Sequence, residues 1–81
     1  MEPGTVVRAR AGRDSGGFFA VLSVSDGYAY IADGRTRRIE KPKKKKLKHL
    51  AATRQRIAPD GALTNRRLRA ELARLSGEDA L

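Results

Sequence analysis

Cysteine is absent from this 81-residue chain. That excludes a disulfide framework, a thiolate zinc site and a cysteine nucleophile, so packing must hold the fold together. Tryptophan is absent too, and aromatic residues make up only 5% of the sequence. This leaves little material for the aromatic-lined groove that receives proline-rich peptides. No stretch approaches the roughly 20 apolar residues of a membrane-spanning helix. Met1-Glu2-Pro3-Gly4 has neither the basic start nor the apolar run of a secretory signal, so a cytoplasmic location is expected. The single histidine, His49, has no second ligand type clustered near it, and no metal site is expected. Catalytic signatures are also missing. There is no convincing Ser-His-acid set, and Gly12-Arg13-Asp14-Ser15-Gly16-Gly17 lacks the Gly-Lys-Ser/Thr ending of a nucleotide-binding loop. The chain is therefore expected not to be an enzyme, and to use no cofactor and no small-molecule substrate.

Positive charge is abundant. Lysine and arginine number 18 against 9 acidic residues, a net charge of +9. The excess is concentrated: residues 1–40 carry six basic and five acidic side chains, residues 41–50 six lysines and no acid, and residues 51–81 six arginines and four acids. A nearly neutral body with one basic block points to a directed contact with a polyanion. No amphipathic helix carries the lysines, which argues against a membrane-surface role.

The first half reads as strands. Thr5–Arg10 is β-branched and partly alternating, and it ends in a loop containing Gly12, Gly16 and Gly17. Phe18–Val24 is apolar on both faces, so it is either sandwiched or bent so that each half meets the core in turn. Asp26-Gly27 and Asp33-Gly34 each suit a type I′ turn, in which both central residues need φ > 0. They predict a three-strand meander: Phe18–Val24, Tyr28–Ala32 and Arg35–Ile39. Pro42 then breaks the pattern. Lys43–Lys46 are expected to stay solvated, and Leu47 and Leu50 to form a last short strand or turn. Five short strands over residues 4–52 hide their edges best as a small antiparallel barrel.

The tail differs. Ala58-Pro59-Asp60-Gly61 reads as a linker. Thr64 is placed to cap a helix over residues 65–75, with Gly77 just past its end. Leu68, Leu72 and Leu75 form one apolar stripe, and Glu71 can pair with Arg74 or Arg67. Arg66 and Arg67 occupy the first turn, where the helix dipole disfavours cations. A helix docked on the barrel is favoured over one that contacts the polyanion. The expected organisation is a barrel over residues 1–54, with a lysine-rich segment at 41–48, followed by a linker and helix over 55–81.

The run from Gly4 through Val6-Val7, Ala11-Gly12-Arg13-Asp14, Gly16 and Phe18 to Val21-Leu22 and Val24 resembles a KOW motif, a strand–glycine loop–strand unit. Phe18-Phe19 stands where many KOW motifs carry a glycine. The wider stretch, through Lys41-Pro42 and the lysines to Leu50, is similar to small bacterial KOW-domain RNA-binding proteins. Those in turn resemble KOW-type large-subunit ribosomal proteins of archaea and eukaryotes. The resemblance implies a mostly β, SH3-like barrel that binds structured RNA, typically ribosomal RNA, as an accessory to translation or the ribosome. A monomer is expected.

The residues agree with that reading. Glycines let a loop take φ > 0 and approach a phosphate backbone, and arginine forks grip phosphate oxygens in pairs. The residues expected to contact RNA are Arg10, Gly12, Arg13, Arg35, Arg37, Lys41, Lys43, Lys44, Lys45, Lys46 and Lys48. Tyr28 and Tyr30 share a strand face and suit either base stacking or covering the barrel; the pattern favours cover. Two other readings compete. An SH3-like protein-interaction module is short of aromatics, and a duplex-DNA binder lacks a recognition helix with base-reading spacing.

Overall fold

The structure is a computed structural model that describes residues 1–13, 15–57 and 63–78. The chain forms five strands: β1 (Thr5–Ala9), β2 (Phe18–Ser25), β3 (Tyr28–Ala32), β4 (Lys43–Lys46) and β5 (Leu50–Arg56). They form one antiparallel sheet in the order β4-β3-β2-β1-β5, and a single helix, α1 (Asn65–Glu78), follows. The fold is mostly β and barrel-like, as the strand pattern predicts.

Where α1 covers the sheet, both faces of β2 pack against apolar side chains, which explains why Phe18–Leu22 is apolar on both faces; Ser23–Ser25, beyond it, are exposed. On the inner face, Val7, Ala9, Phe19, Val21, Ala29, Ile31 and Leu50 form one cluster, with Leu47 packed against it. On the outer face, Val6, Ala20 and Ala32 meet Leu68, Leu72 and Leu75 of α1. Ala20 and Ala32 are direct cross-strand partners, and their small side chains let the helix lie close to the sheet. A β-bulge between Val21 and Ser23 shifts the register against β3 and bends β2. The strand is thus both sandwiched and bent.

The sheet curls because its ends are tied. A 3₁₀ turn, Leu47–His49, crosses from β4 to β5. The Leu47 N–H donates to the Gly27 carbonyl at 3.0 Å, and the Arg10 N–H donates to the His49 carbonyl at 2.8 Å. Three residues therefore bridge the β2–β3 turn and the end of β1. Elsewhere, β1 and β5 slip register between Thr5 and Val7. There the Thr53 hydroxyl donates to the Val6 carbonyl at 2.7 Å, giving that buried acceptor a partner.

The structure departs from four expectations. Asp26-Gly27 does form the hairpin turn, with φ of 49° and 80°. Asp33-Gly34 does not. The Asp33 carboxylate accepts from the N–H groups of Arg35 (2.9 Å) and Arg37 (2.8 Å), folding the chain back on itself. A local side-chain acceptor outcompetes the ladder, so Arg35–Ile39 is a loop and not a strand. The third meander strand is instead the lysine run. β4 pairs with β3 in the register Tyr28↔Lys46, Ala29↔Lys45, Tyr30↔Lys44 and Ile31↔Lys43. Lysine suits an edge strand, because its charge discourages pairing with another chain while its stem covers apolar surface. Leu47 lies in the 3₁₀ turn and Leu50 opens the last strand, in line with the strand or turn expected there. That strand runs to Arg56, two positions past the expected barrel boundary. Finally, α1 continues through Gly77 to Glu78, so Gly77 does not end it. The expected linker, Ala58–Gly61, lies outside the described residues.

The helix is anchored as its stripe predicts. Leu68, Leu72 and Leu75 are 0%, 6% and 3% exposed. The Thr64 hydroxyl accepts from the Arg67 N–H at 3.1 Å, and Arg74 pairs with Glu71 at 2.8 Å. A 14-residue helix is marginal alone, so its order comes from docking these leucines. Leu72→Asp is expected to lower stability by about 1–3 kcal/mol, measured by thermal denaturation. An unchanged melting temperature would mean that the helix contributes nothing to the isolated fold.

Candidate nucleic-acid interface

Strand geometry divides the lysine block. Successive residues of a strand face opposite sides, so Lys44 and Lys46 lie on the outer face with Tyr30 and Tyr28 opposite them. Both lysines are exposed, and both tyrosines are partly exposed. The Lys44 ammonium sits 4.4 Å from the centroid of the Tyr28 ring. Beyond the bulge, Ser23 and Ser25 pair with Tyr30 and Tyr28 and extend this polar, aromatic surface across β2. The two tyrosines lie outside the cluster beneath α1, which takes Ala32 from the same strand.

Lys43 and Lys45 face the other way, opposite Ile31 and Ala29 of the core, and are partly buried. Lys45 braces the fold, because its ammonium donates to the Ala11 carbonyl at 2.8 Å and ties β4 to the loop after β1. The same ammonium lies 2.9 Å from where a Cβ on Gly12 would stand. Gly12, at φ 82°, thus receives close approach from the chain's own lysine. The loop is closed by the Ser15 N–H donating to the Gly12 carbonyl (3.1 Å) and the Gly16 N–H to the Ala9 carbonyl (2.8 Å).

The eleven expected contact residues therefore fall into separate groups. Arg10 and Arg13 are exposed at the glycine loop, which Lys45 ties to β4; the Arg10–His49 bond brings this loop beside Lys48 in the 3₁₀ turn. Arg37, Lys41 and Lys43 line a cleft of ≈ 460 Å³ together with Arg38, Thr36 and Pro42. Four cations meet there, and the described lining residues include no acid. Arg38 was not singled out in the sequence, although it adjoins Arg37. Arg35 is set apart: it lines a pocket of ≈ 200 Å³ beside the helix with Phe18, Arg69 and Leu72.

Two acidic groups close to the cleft in sequence, Asp33 and Glu40, are held by other partners. Asp33 is spent on its turn. Glu40 accepts from the Asn65 side-chain amide, and this bond, with the Glu40 backbone amide and the charge of Arg38, holds its carboxyl below the ordinary value. Asn65 also accepts from the Ile39 N–H at 2.8 Å, and Arg69 donates to the Gly34 carbonyl at 2.7 Å. The first turns of α1 thereby fix the loop that presents the basic cleft.

Among the described residues no group of three or more histidines, cysteines or acids could hold a metal ion, and no helix is long and apolar enough to cross a membrane. No protein-family model matches the sequence, and no curated protein matches it significantly.

Proposed function

We propose that this protein binds structured RNA, with ribosomal RNA as the expected class, and serves translation or the ribosome as an accessory in the cytoplasm. The observation that carries the reading is β4, a run of four lysines held as a folded strand. Its outer members, Lys44 and Lys46, are exposed and form no ion pair among the described residues. Fixed cations with no carboxylate partner are suited to phosphate, and they read charge and backbone path without reading sequence. The four-cation cleft at the β3–β4 loop extends the surface at the Lys43 end of the strand. The strand order and the 3₁₀ turn between β4 and β5 are in keeping with an SH3-like barrel, and the positive-φ glycines Gly12 and Gly16 with a KOW loop.

Phosphate binding releases condensed counterions, so affinity must fall with salt. Four or five contacts predict a log–log slope of about −3 to −4. Fluorescence anisotropy with a labelled, folded ribosomal RNA fragment, titrated across salt concentrations, measures it. A slope near zero, or no binding at low salt, would contradict the proposal.

A further inference from the structure

We infer that Tyr28 and Tyr30 form a stacking platform for unpaired RNA bases, so that the protein prefers single-stranded or looped RNA to a continuous duplex. The inference rests on the proposed RNA reading and adds to it a base-contacting site that the lysines alone do not supply. Three features of the outer face lead to it. First, the two rings lie at positions i and i+2 of β3 on the face that carries Lys44 and Lys46, and both remain partly exposed outside the helix-covered cluster. Second, Lys44 and Lys46 are the cross-strand partners of Tyr30 and Tyr28, and the Lys44 ammonium lies over the Tyr28 ring, so aromatic surface and cation share one face, the pairing on which single strands bind. Third, residues i and i+2 of a strand are about 7 Å apart. Stacked bases of a duplex strand rise only about 3.4 Å apiece along the helix axis. Two rings at the wider spacing suit neighbouring bases of an opened strand and cannot both engage adjacent bases of a stacked one.

The Lys44–Tyr28 contact gives the surface a mechanism. With no RNA bound, the ammonium rests over the ring at 4.4 Å. A stacked base is a stronger partner for an exposed ring than a hydrated ammonium. The base therefore takes the ring face and frees Lys44 for the adjoining phosphate. Ser23, across from Tyr30, offers a hydroxyl to a base edge or the 2′-OH, whereas the Ser25 hydroxyl already donates to the Asp26 carboxylate at 3.5 Å.

The test compares a fluorescein-labelled ten-nucleotide oligouridine with a labelled blunt RNA duplex of the same length. Binding is read by anisotropy for the parent protein, Tyr28→Leu/Tyr30→Leu and Tyr28→Phe/Tyr30→Phe. Leucine keeps apolar bulk on the strand but removes the π-face, whereas phenylalanine keeps it. The leucine pair is expected to weaken oligouridine binding roughly 10-fold or more, and duplex binding less than about threefold. The phenylalanine pair should stay within about threefold of the parent for both, and the salt slopes should not change because the lysines remain. Leucine variants that bind oligouridine like the parent, or that lose both RNAs equally, would overturn the platform while leaving the phosphate reading in place. A parent that binds neither RNA would overturn both.

A second measurement needs no variant. The chain has two tyrosines and no tryptophan, so its intrinsic ultraviolet emission reports this face alone. Oligouridine should quench that emission, after correction with free N-acetyltyrosinamide, and the duplex should not. Quenching by a proline-rich peptide and not by oligouridine would refute the inference in favour of a protein partner.

Discussion

Gly34→Ala is expected to lower the melting temperature at least twice as far as Gly27→Ala. The two glycines share nearly the same backbone conformation, φ 79° and 80°, so the cost of placing an L-residue there is common to both. That cost is about 1–2 kcal/mol. Their surroundings differ. A Cβ on Gly27 would meet nothing within 4 Å, whereas one on Gly34 would be driven into the Asn65 backbone carbonyl at the start of α1. A side chain there must push the helix off the loop. It would strain the Arg69–Gly34 and Asn65–Ile39 hydrogen bonds, each worth about 0.5–1.5 kcal/mol, and loosen the leucines behind them. The total for Gly34→Ala is about 3–5 kcal/mol, in the range of the most damaging single substitutions. At about 4–8 °C per kcal/mol for a domain of this size, the difference between the variants is easily resolved by circular dichroism. Equal shifts would mean that the helix does not sit against Gly34.

Features that depend on neighbours in sequence were legible from sequence. The Leu68/Leu72/Leu75 stripe and its Thr64 cap needed only helical spacing, and the Asp26-Gly27 turn only two residue types. What depends on distant partners was not. The same Asp-Gly pair at 33–34 reads as a hairpin until Asn65 and Arg69 arrive from the tail and dock on the loop. The lysine run reads as solvated because like charges repel. Pairing with β3 supplies a backbone ladder, and alternation sends every second ammonium to the opposite face.

The candidate interface divides in the same way. Its charge and approximate location were visible in the block at 41–48. Nothing local distinguishes Lys45, which closes the barrel on Ala11, from Lys44 and Lys46, which remain outside. That Tyr28 and Tyr30 share a face was plain from their parity. Their exposure was not, because it depends on how far α1 reaches across the sheet. The helix takes Ala32 into its cluster and leaves the two tyrosines out of it.

The most direct test of the proposed function is the salt dependence of RNA binding in Lys44→Gln/Lys46→Gln. Both ammonium groups are on exposed positions of an edge strand, and glutamine preserves most of the stem, so the fold should keep its melting temperature within a few degrees. If the two lysines each neutralise a phosphate, losing them removes about 0.7–0.9 from the log–log slope apiece. The parent slope of about −3 to −4 should therefore flatten by about one and a half units, with affinity for every structured RNA reduced by a similar factor. Lys45→Gln is the informative counterpart. It should cost stability, through the lost Ala11 tie, more than it costs slope. A Lys44→Gln/Lys46→Gln protein that stays folded and binds RNA with the parent's affinity and slope would contradict the central claim that β4 is the phosphate-reading strand.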